Sequence, residues 1–201
     1  MDLTSLKTMK RSISNPYLEI FNGLPDSYKR IDSPIVEYGE SNREESYKKT
    51  RKELCTKYSY SVPTEEAILK ISEWASDEIF DWGSGSGYWA WLLSQVGSKV
   101  TCLDNKPPPY SWMPIDKSAV PHDYHQTLMI GWPERDSNSS LNVLLSYKGQ
   151  KLIYIGELFR GCAIPNFFAA LFQQWDLVEM INIPQWYNRT DKVYLFEPLT
   201  H

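Results

Sequence analysis

The chain has 201 residues, 42% of them hydrophobic, with a mean hydropathy of −0.45 and a formal net charge of −4. That length allows one sizeable core with a small appendage but not two full domains, and no apolar run approaches the roughly 18 residues a bilayer span needs. Residues 1–60 carry 11 Lys and Arg against 9 Asp and Glu, whereas residues 61–201 carry 10 against 16, so the main body is acidic and lacks the long-range attraction expected of a nucleic-acid binder.

From Met1 to Arg11 there is no apolar core of the kind a secretory leader uses. Three widely spaced cysteines, Cys55, Cys102 and Cys162, show neither metal-site spacing nor a paired framework, so reduced thiols in the cytoplasm are the expectation. Pro16, Pro25 and Pro34 divide the first 60 residues into short pieces, and only Ser41 to Lys57 reads as a sustained helix. Residues 1–57 are therefore expected to form a helical cap or docking extension, and residues 58–201 the main domain. Lys48, Lys49, Arg51 and Lys52 read as a solvated helix face that could still touch phosphate.

Pro63, Thr64, Glu65 and Glu66 open a second helix, with Ala67, Ile68, Ile71 and Trp74 as its apolar face. The pattern then predicts strand 78–83, helix 87–96, strand 99–104, strand 127–132, helix 139–148, strand 151–156, helix 165–175, strand 176–183 and strand 191–197. Such alternation specifies a mainly parallel sheet covered on both faces. Only Pro184 to Thr190 separates the last two strands, which therefore pair antiparallel. Between Asn105 and His125 the chain is proline-rich without a convincing helix, so one helix-strand unit is shortened or irregular there.

Strand 78–83 runs into Asp81, Trp82, Gly83, Ser84, Gly85, Ser86 and Gly87, and a helix follows. Glycines at alternate positions let the backbone turn sharply and approach a ligand closely, while the free N–H groups of the next helix face it. Asp104 lies 21 residues beyond Gly83 at the end of an apolar strand, the separation at which a carboxylate grips ribose hydroxyls. A dinucleotide turn would place its third glycine one residue later, and an acid before the glycines would repel a pyrophosphate.

The Asp-x-Gly-x-Gly-x-Gly turn, the second strand ending in an acid and the terminal antiparallel pair together resemble the class I S-adenosylmethionine-dependent methyltransferases, over roughly residues 60–198. Thr127 to Pro133, Leu152 to Glu157, Ile183 to Trp186 with Asp191, and the Tyr58 to Thr64 segment are similar to a little-described methyltransferase-like branch. The resemblance implies an α/β, Rossmann-like, seven-stranded, mainly parallel sheet with an antiparallel terminal strand pair. It also implies S-adenosylmethionine as cofactor, its methionine part near Asp81 and the glycine turn and its ribose near Asp104. The contact set that follows is Asp81, Gly83, Ser84, Gly85, Gly87, Tyr88, Asp104, Asn105, Asp123 and Trp132.

Amine methyltransferases often carry Asn/Asp-Pro-Pro-Tyr/Phe after the fourth strand, where this chain has Trp132, Pro133, Glu134 and Arg135. The residue on which amine methylation would be argued is therefore missing. Glu134 and Glu157 follow strands whose carboxyl ends face the ligand crevice, and with Tyr60, suited to a cation-π contact with a sulfonium, they are the candidate catalytic residues. His122, Asp123 and His125 precede the fourth strand and could reach the adenine edge. A lone His-x-x-His supplies only two ligands, so no metal is expected. Tyr58, Tyr60, Tyr88, Trp89, Trp91 and Trp112 form an aromatic group at the expected cofactor entrance, Trp89 and Trp91 reading as core. The expected activity is methyl transfer to a small molecule or peptide side chain. The alternatives are transfer of the aminocarboxypropyl group with release of methylthioadenosine, and a partner-docking protein that binds the cofactor without turnover.

Overall fold

The computed structural model describes residues 13–29, 41–75, 78–117 and 127–200. Six helices and seven strands follow in chain order: α1 (Pro16–Gly23), α2 (Ser41–Lys57), α3 (Glu65–Trp74), β1 (Glu78–Trp82), α4 (Tyr88–Gln95), β2 (Lys99–Leu103), β3 (Ile115–Asp116), β4 (Thr127–Gly131), α5 (Ser139–Ser146), β5 (Leu152–Gly156), α6 (Pro165–Gln174), β6 (Trp175–Asn182) and β7 (Lys192–Pro198). Among the described residues no helix is long and apolar enough to cross a membrane.

The sheet order is β3-β2-β1-β4-β5-β7-β6. Strands β1 to β5 pair in parallel, with Asp81 beside Cys102 on one side and Met129 on the other. β7 inserts antiparallel between β5 and β6, as the short link between the last two strands requires. This is the α/β, Rossmann-like, seven-stranded and mainly parallel sheet with an antiparallel terminal pair that the sequence led us to expect. Because β2 and β4 lie on opposite sides of β1, the chain reverses direction across the sheet there, and the carboxyl ends of β1 and β4 are where an open α/β sheet binds its ligand. Within the described part of the proline-rich stretch after β2, residues 105–117, the regular element is the two-residue strand β3.

Alternation along the strands divides the core between two faces. Ile79, Met129 and Ile153 pack with Ile68, Ile71 and Leu92 on one side, whereas Phe80, Leu128, Ile130 and Leu152 meet Phe167, Phe168 and Leu171 on the other. Thr64 caps α3 by accepting the Ala67 N–H at 3.1 Å, with Glu65 and Glu66 in the first turn, as expected.

Pro16 starts a helix rather than breaking the chain. Pro16 occupies the first turn of α1, where a missing N–H costs nothing, and the Asn15 side chain accepts the Leu18 N–H at 3.1 Å. The helix carries Tyr17 and Phe21, 0% and 2% exposed, into the core beside Trp186. Tyr17 stacks on Tyr58 at 4.9 Å, and its hydroxyl accepts the Trp186 indole N–H at 3.0 Å. Burial of each such ring contributes about 1.5–3 kcal/mol, so α1 is part of what holds the sheet's terminal loop in place.

Candidate active site

The turn after β1 is held open by its own backbone. Gly83, Gly85 and Gly87 have φ of +71°, +56° and +73°, conformations that side chains rarely tolerate. The Gly83 and Ser84 N–H groups donate to the Leu103 carbonyl at 2.8 and 3.0 Å, and Gly87 N–H donates to Ser84 O at 2.9 Å. A Cβ on Gly83 or Gly85 would meet nothing within 4 Å, whereas one on Gly87 would lie 3.2 Å from Met113 Cβ. The first two glycines thus border free space above the sheet, and the third seats the turn against the loop before β3.

Asp104 follows β2 and closes this turn. Its Oδ2 accepts the Gly85 N–H at 2.8 Å and its Oδ1 the Lys106 N–H at 2.8 Å. A carboxylate has about four acceptor positions, so each oxygen retains one for a ligand hydroxyl. Asn105, the next residue, is exposed. Asp81 is only 4% exposed, and burial, with a further contribution from Asp104, pushes its carboxyl up to about 7. A buried acid of this kind gains most from a cationic partner. Ser84 Oγ is enclosed within the turn.

Tyr88 has a different placement from the other members of the expected contact set. It is buried beneath α1, where its hydroxyl donates to Asn15 Oδ1 at 2.8 Å and accepts the Tyr17 N–H at 3.1 Å. Its ring packs against Tyr58 and Trp112 at 5.0 Å each. Trp112 is tied to the turn through its backbone N–H, which donates to Ser86 O at 2.7 Å, and to the end of α2 through its indole, which donates to Lys57 O at 2.8 Å. Asp123, with His122 and His125, lies outside the described residues.

A second group of polar side chains gathers at the ends of β4 and β5. Trp132 leaves β4 with φ of +46°. Its indole donates to Ser61 Oγ at 2.8 Å and its ring stacks on Tyr60 at 5.2 Å. Pro133 is buried, but Glu134 points to the surface. Glu157, at the end of β5, is 0% exposed and accepts from Thr190 N–H at 2.9 Å, Thr190 Oγ1 at 3.1 Å and Arg189 Nη1 at 3.3 Å. Its oxygens anchor the loop entering β7. The approach of Gly161 to Glu157 is so close that a Cβ there would collide with the carboxylate.

Two further residues complete this group. Asp191 is 0% exposed, and neither carboxylate oxygen has a hydrogen-bond partner. Burial first, then Glu157, raises its carboxyl to about 7, against the pull of Arg51, the Trp132 indole and Arg189. Arg51 turns inward from α2, its guanidinium 5.8 Å from the Tyr60 ring centre and 5.7 Å from that of Trp132. Its Nε and Nη2 are buried without a hydrogen-bond partner. The expectation of a solvated patch therefore fits Lys48, Lys49 and Lys52, which are exposed, but not Arg51. Among the described residues no three His, Cys, Asp or Glu side chains are grouped to hold a metal ion.

No family model matches the chain, and no curated protein matches it in sequence. Solved structures do resemble it in fold. N-methyltransferase NodS from Bradyrhizobium japonicum is 11% identical with a TM-score of 0.49, the match covering 67% of this chain and 94% of NodS. A TehB-like SAM-dependent methyltransferase from Corynebacterium glutamicum is 14% identical with a TM-score of 0.46, over 80% of this chain and 100% of that one. The putative RNA methyltransferase PH1948 from Pyrococcus horikoshii is 12% identical with a TM-score of 0.46, over 67% of this chain and 83% of that one.

Proposed function

We propose that the chain binds S-adenosylmethionine at the carboxyl ends of β1, β2 and β4 and transfers its methyl group to a small molecule or a peptide side chain. One observation carries this reading: a buried acid, an unobstructed glycine turn and a carboxylate with spare acceptor positions lie side by side at the point where the sheet reverses direction. Asp104 would accept the two ribose hydroxyls, Asp81 would face the cofactor's ammonium, and the N–H groups opening α4 would receive its carboxylate. Asn105 would border the adenosine. Bound there, the cofactor supplies a methyl group on a positively charged sulfur. Tyr60 and Trp132, stacked at the end of β4, would border the methyl group from the acceptor side. Holding the acceptor in line with the methyl group and excluding water would account for much of the acceleration.

Glu134 is exposed and Glu157 is engaged by three donors, so acid-base assistance to the acceptor falls more naturally to Asp191. Cys55, Cys102 and Cys162 are free and buried, in keeping with a reducing compartment such as the cytoplasm. Calorimetric titration with S-adenosylmethionine and S-adenosylhomocysteine tests the cofactor, and failure of both to bind rules the proposal out. Mass spectrometry of the nucleoside product tests the reaction. S-adenosylhomocysteine supports methyl transfer, methylthioadenosine supports aminocarboxypropyl transfer, and binding without product across acceptor panels supports a docking protein.

A further inference from the structure

We propose that Arg51 and Asp191, gathered beside Tyr60 and Trp132, seat the acceptor, and that the acceptor is a small molecule carrying a carboxylate at one end and a hydroxyl or amino donor at the other. This rests on the reading of the chain as an S-adenosylmethionine-dependent transferase and adds the acceptor's chemical class. The Nε and Nη2 edge of Arg51 presents two roughly parallel N–H groups, the arrangement that receives both oxygens of a carboxylate, and both atoms are buried without a partner. Asp191 is buried beside the Trp132 indole, whose N–H donates to Ser61 Oγ, and neither Asp191 oxygen has a hydrogen-bond partner. No hydrogen bond or ion pair joins Arg51 to Asp191, although each influences the other electrostatically. An unmatched buried donor pair and an unmatched buried acceptor pair are each costly, and a molecule with an acceptor at one end and a donor at the other relieves both.

Charge selects the anionic end. Arg189 and Glu157 form an ion pair at 3.3 Å and offset one another. Asp191 is held partly protonated near neutrality, so the Arg51 cation is the charge left least compensated. A cationic ligand would meet Arg51 and, at 5.6 Å from the Trp132 ring centre, Arg189. The Tyr60 and Trp132 rings stack on each other 22° from parallel, and the guanidinium lies against both. Tyr60 is 51% exposed and forms the rim by which a ligand enters from solvent.

Benzoate, benzamide, benzylamine and 3-hydroxybenzoate, titrated into the full chain with and without S-adenosylhomocysteine, test the inference. Benzoate should bind at least tenfold more tightly than benzamide, and 3-hydroxybenzoate several-fold more tightly than benzoate. Arg51→Met should reduce the first ratio to within twofold, and Asp191→Ala should abolish the second. Should Arg51→Met not fold, Arg51→Lys, which retains the charge but loses the paired N–H edge, should lower the first ratio at least threefold. Equal binding of benzoate and benzamide, tighter binding of benzylamine, or a benzoate preference that survives the Arg51 substitutions overturns the inference. Absence of S-adenosylhomocysteine binding in the same titrations overturns the cofactor reading instead, since the benzoate to benzamide ratio is read with and without it.

Discussion

Replacing Asp104 by alanine tests the cofactor site most directly. Its two oxygens already accept the Gly85 and Lys106 N–H groups at 2.8 Å, and the proposed ribose adds two hydroxyl donors at the remaining positions. Hydrogen bonds to a charged group contribute roughly 1.5–3 kcal/mol each. At the lower end two of them amount to about 3 kcal/mol, or about 100-fold in affinity at 1.4 kcal/mol per tenfold. Loss of the turn contacts would weaken binding too, so affinity for S-adenosylhomocysteine alone is not diagnostic. The informative measurement is a cycle with its 2′,3′-dideoxy analogue. Wild-type protein should prefer the hydroxylated ligand by about 100-fold, and Asp104→Ala should bind both ligands within about threefold of each other. If the variant still distinguishes the two as wild type does, Asp104 does not hold the ribose, however much overall affinity falls.

Other consequences follow from the same geometry. Gly87→Ala combines a positive φ with a Cβ contact of 3.2 Å to Met113 and should cost about 2–3 kcal/mol, whereas Gly83→Ala meets open space and should cost about 1 kcal/mol; equal melting temperatures for the two variants would contradict the steric argument. Phe21→Ala empties a site 2% exposed and should destabilise by about 3–5 kcal/mol in chemical denaturation, while a loss below about 1 kcal/mol would show that α1 packs only peripherally. Asp81 and Asp191 each have a folded value of about 7 against 3.8 for an ordinary aspartate. The folded chain therefore binds protons more tightly than the unfolded chain between about pH 4 and 7, and stability falls as pH rises through that window, by up to about 1.4 kcal/mol per pH unit for each group. Asp81→Asn and Asp191→Asn should each flatten the slope, and an unchanged slope in both would disprove the burial argument. S-adenosylhomocysteine affinity should rise from pH 6 to pH 8 as Asp81 ionises opposite the ligand's ammonium, and Asp81→Asn should remove that rise.

The sheet was legible in the sequence because strand and helix periods alternate cleanly from Glu78 onward, and the observed bounds differ from the predicted ones by one or two residues. What escaped was governed by contacts distant in sequence. Helix α1 was obscured because Pro16 reads as a breaker until its position in the first turn is known. Tyr88 opens α4 immediately after the glycine turn and sequence proximity assigns it to the cofactor, yet Asn15 and Tyr17, more than 70 residues away, engage its hydroxyl. Glu157 was legible as a strand-end acid, but its burial and its donors, Arg189 and Thr190, come from an antiparallel pairing that no local pattern specifies.

Arg51 differs in having left a signal that periodicity could have revealed. Tyr47, Arg51, Leu54, Cys55 and Tyr58 recur at intervals of three and four, and all are wholly or partly buried, while Lys48, Lys49 and Lys52 on the other faces are exposed. A guanidinium on an apolar helical stripe must be supplied with an acceptor or an aromatic face by the fold. Here the fold supplies the faces of Tyr60 and Trp132 and, without direct contact, the Asp191 carboxylate. A purely structural arginine would be expected to close an ion pair with that carboxylate, since the low-dielectric surroundings strengthen the attraction and the unpaired state leaves both groups desolvated. That the pair stays unclosed while Arg189 and Glu157 close theirs nearby argues that the separation between Arg51 and Asp191 is kept for a third group, one able to satisfy both.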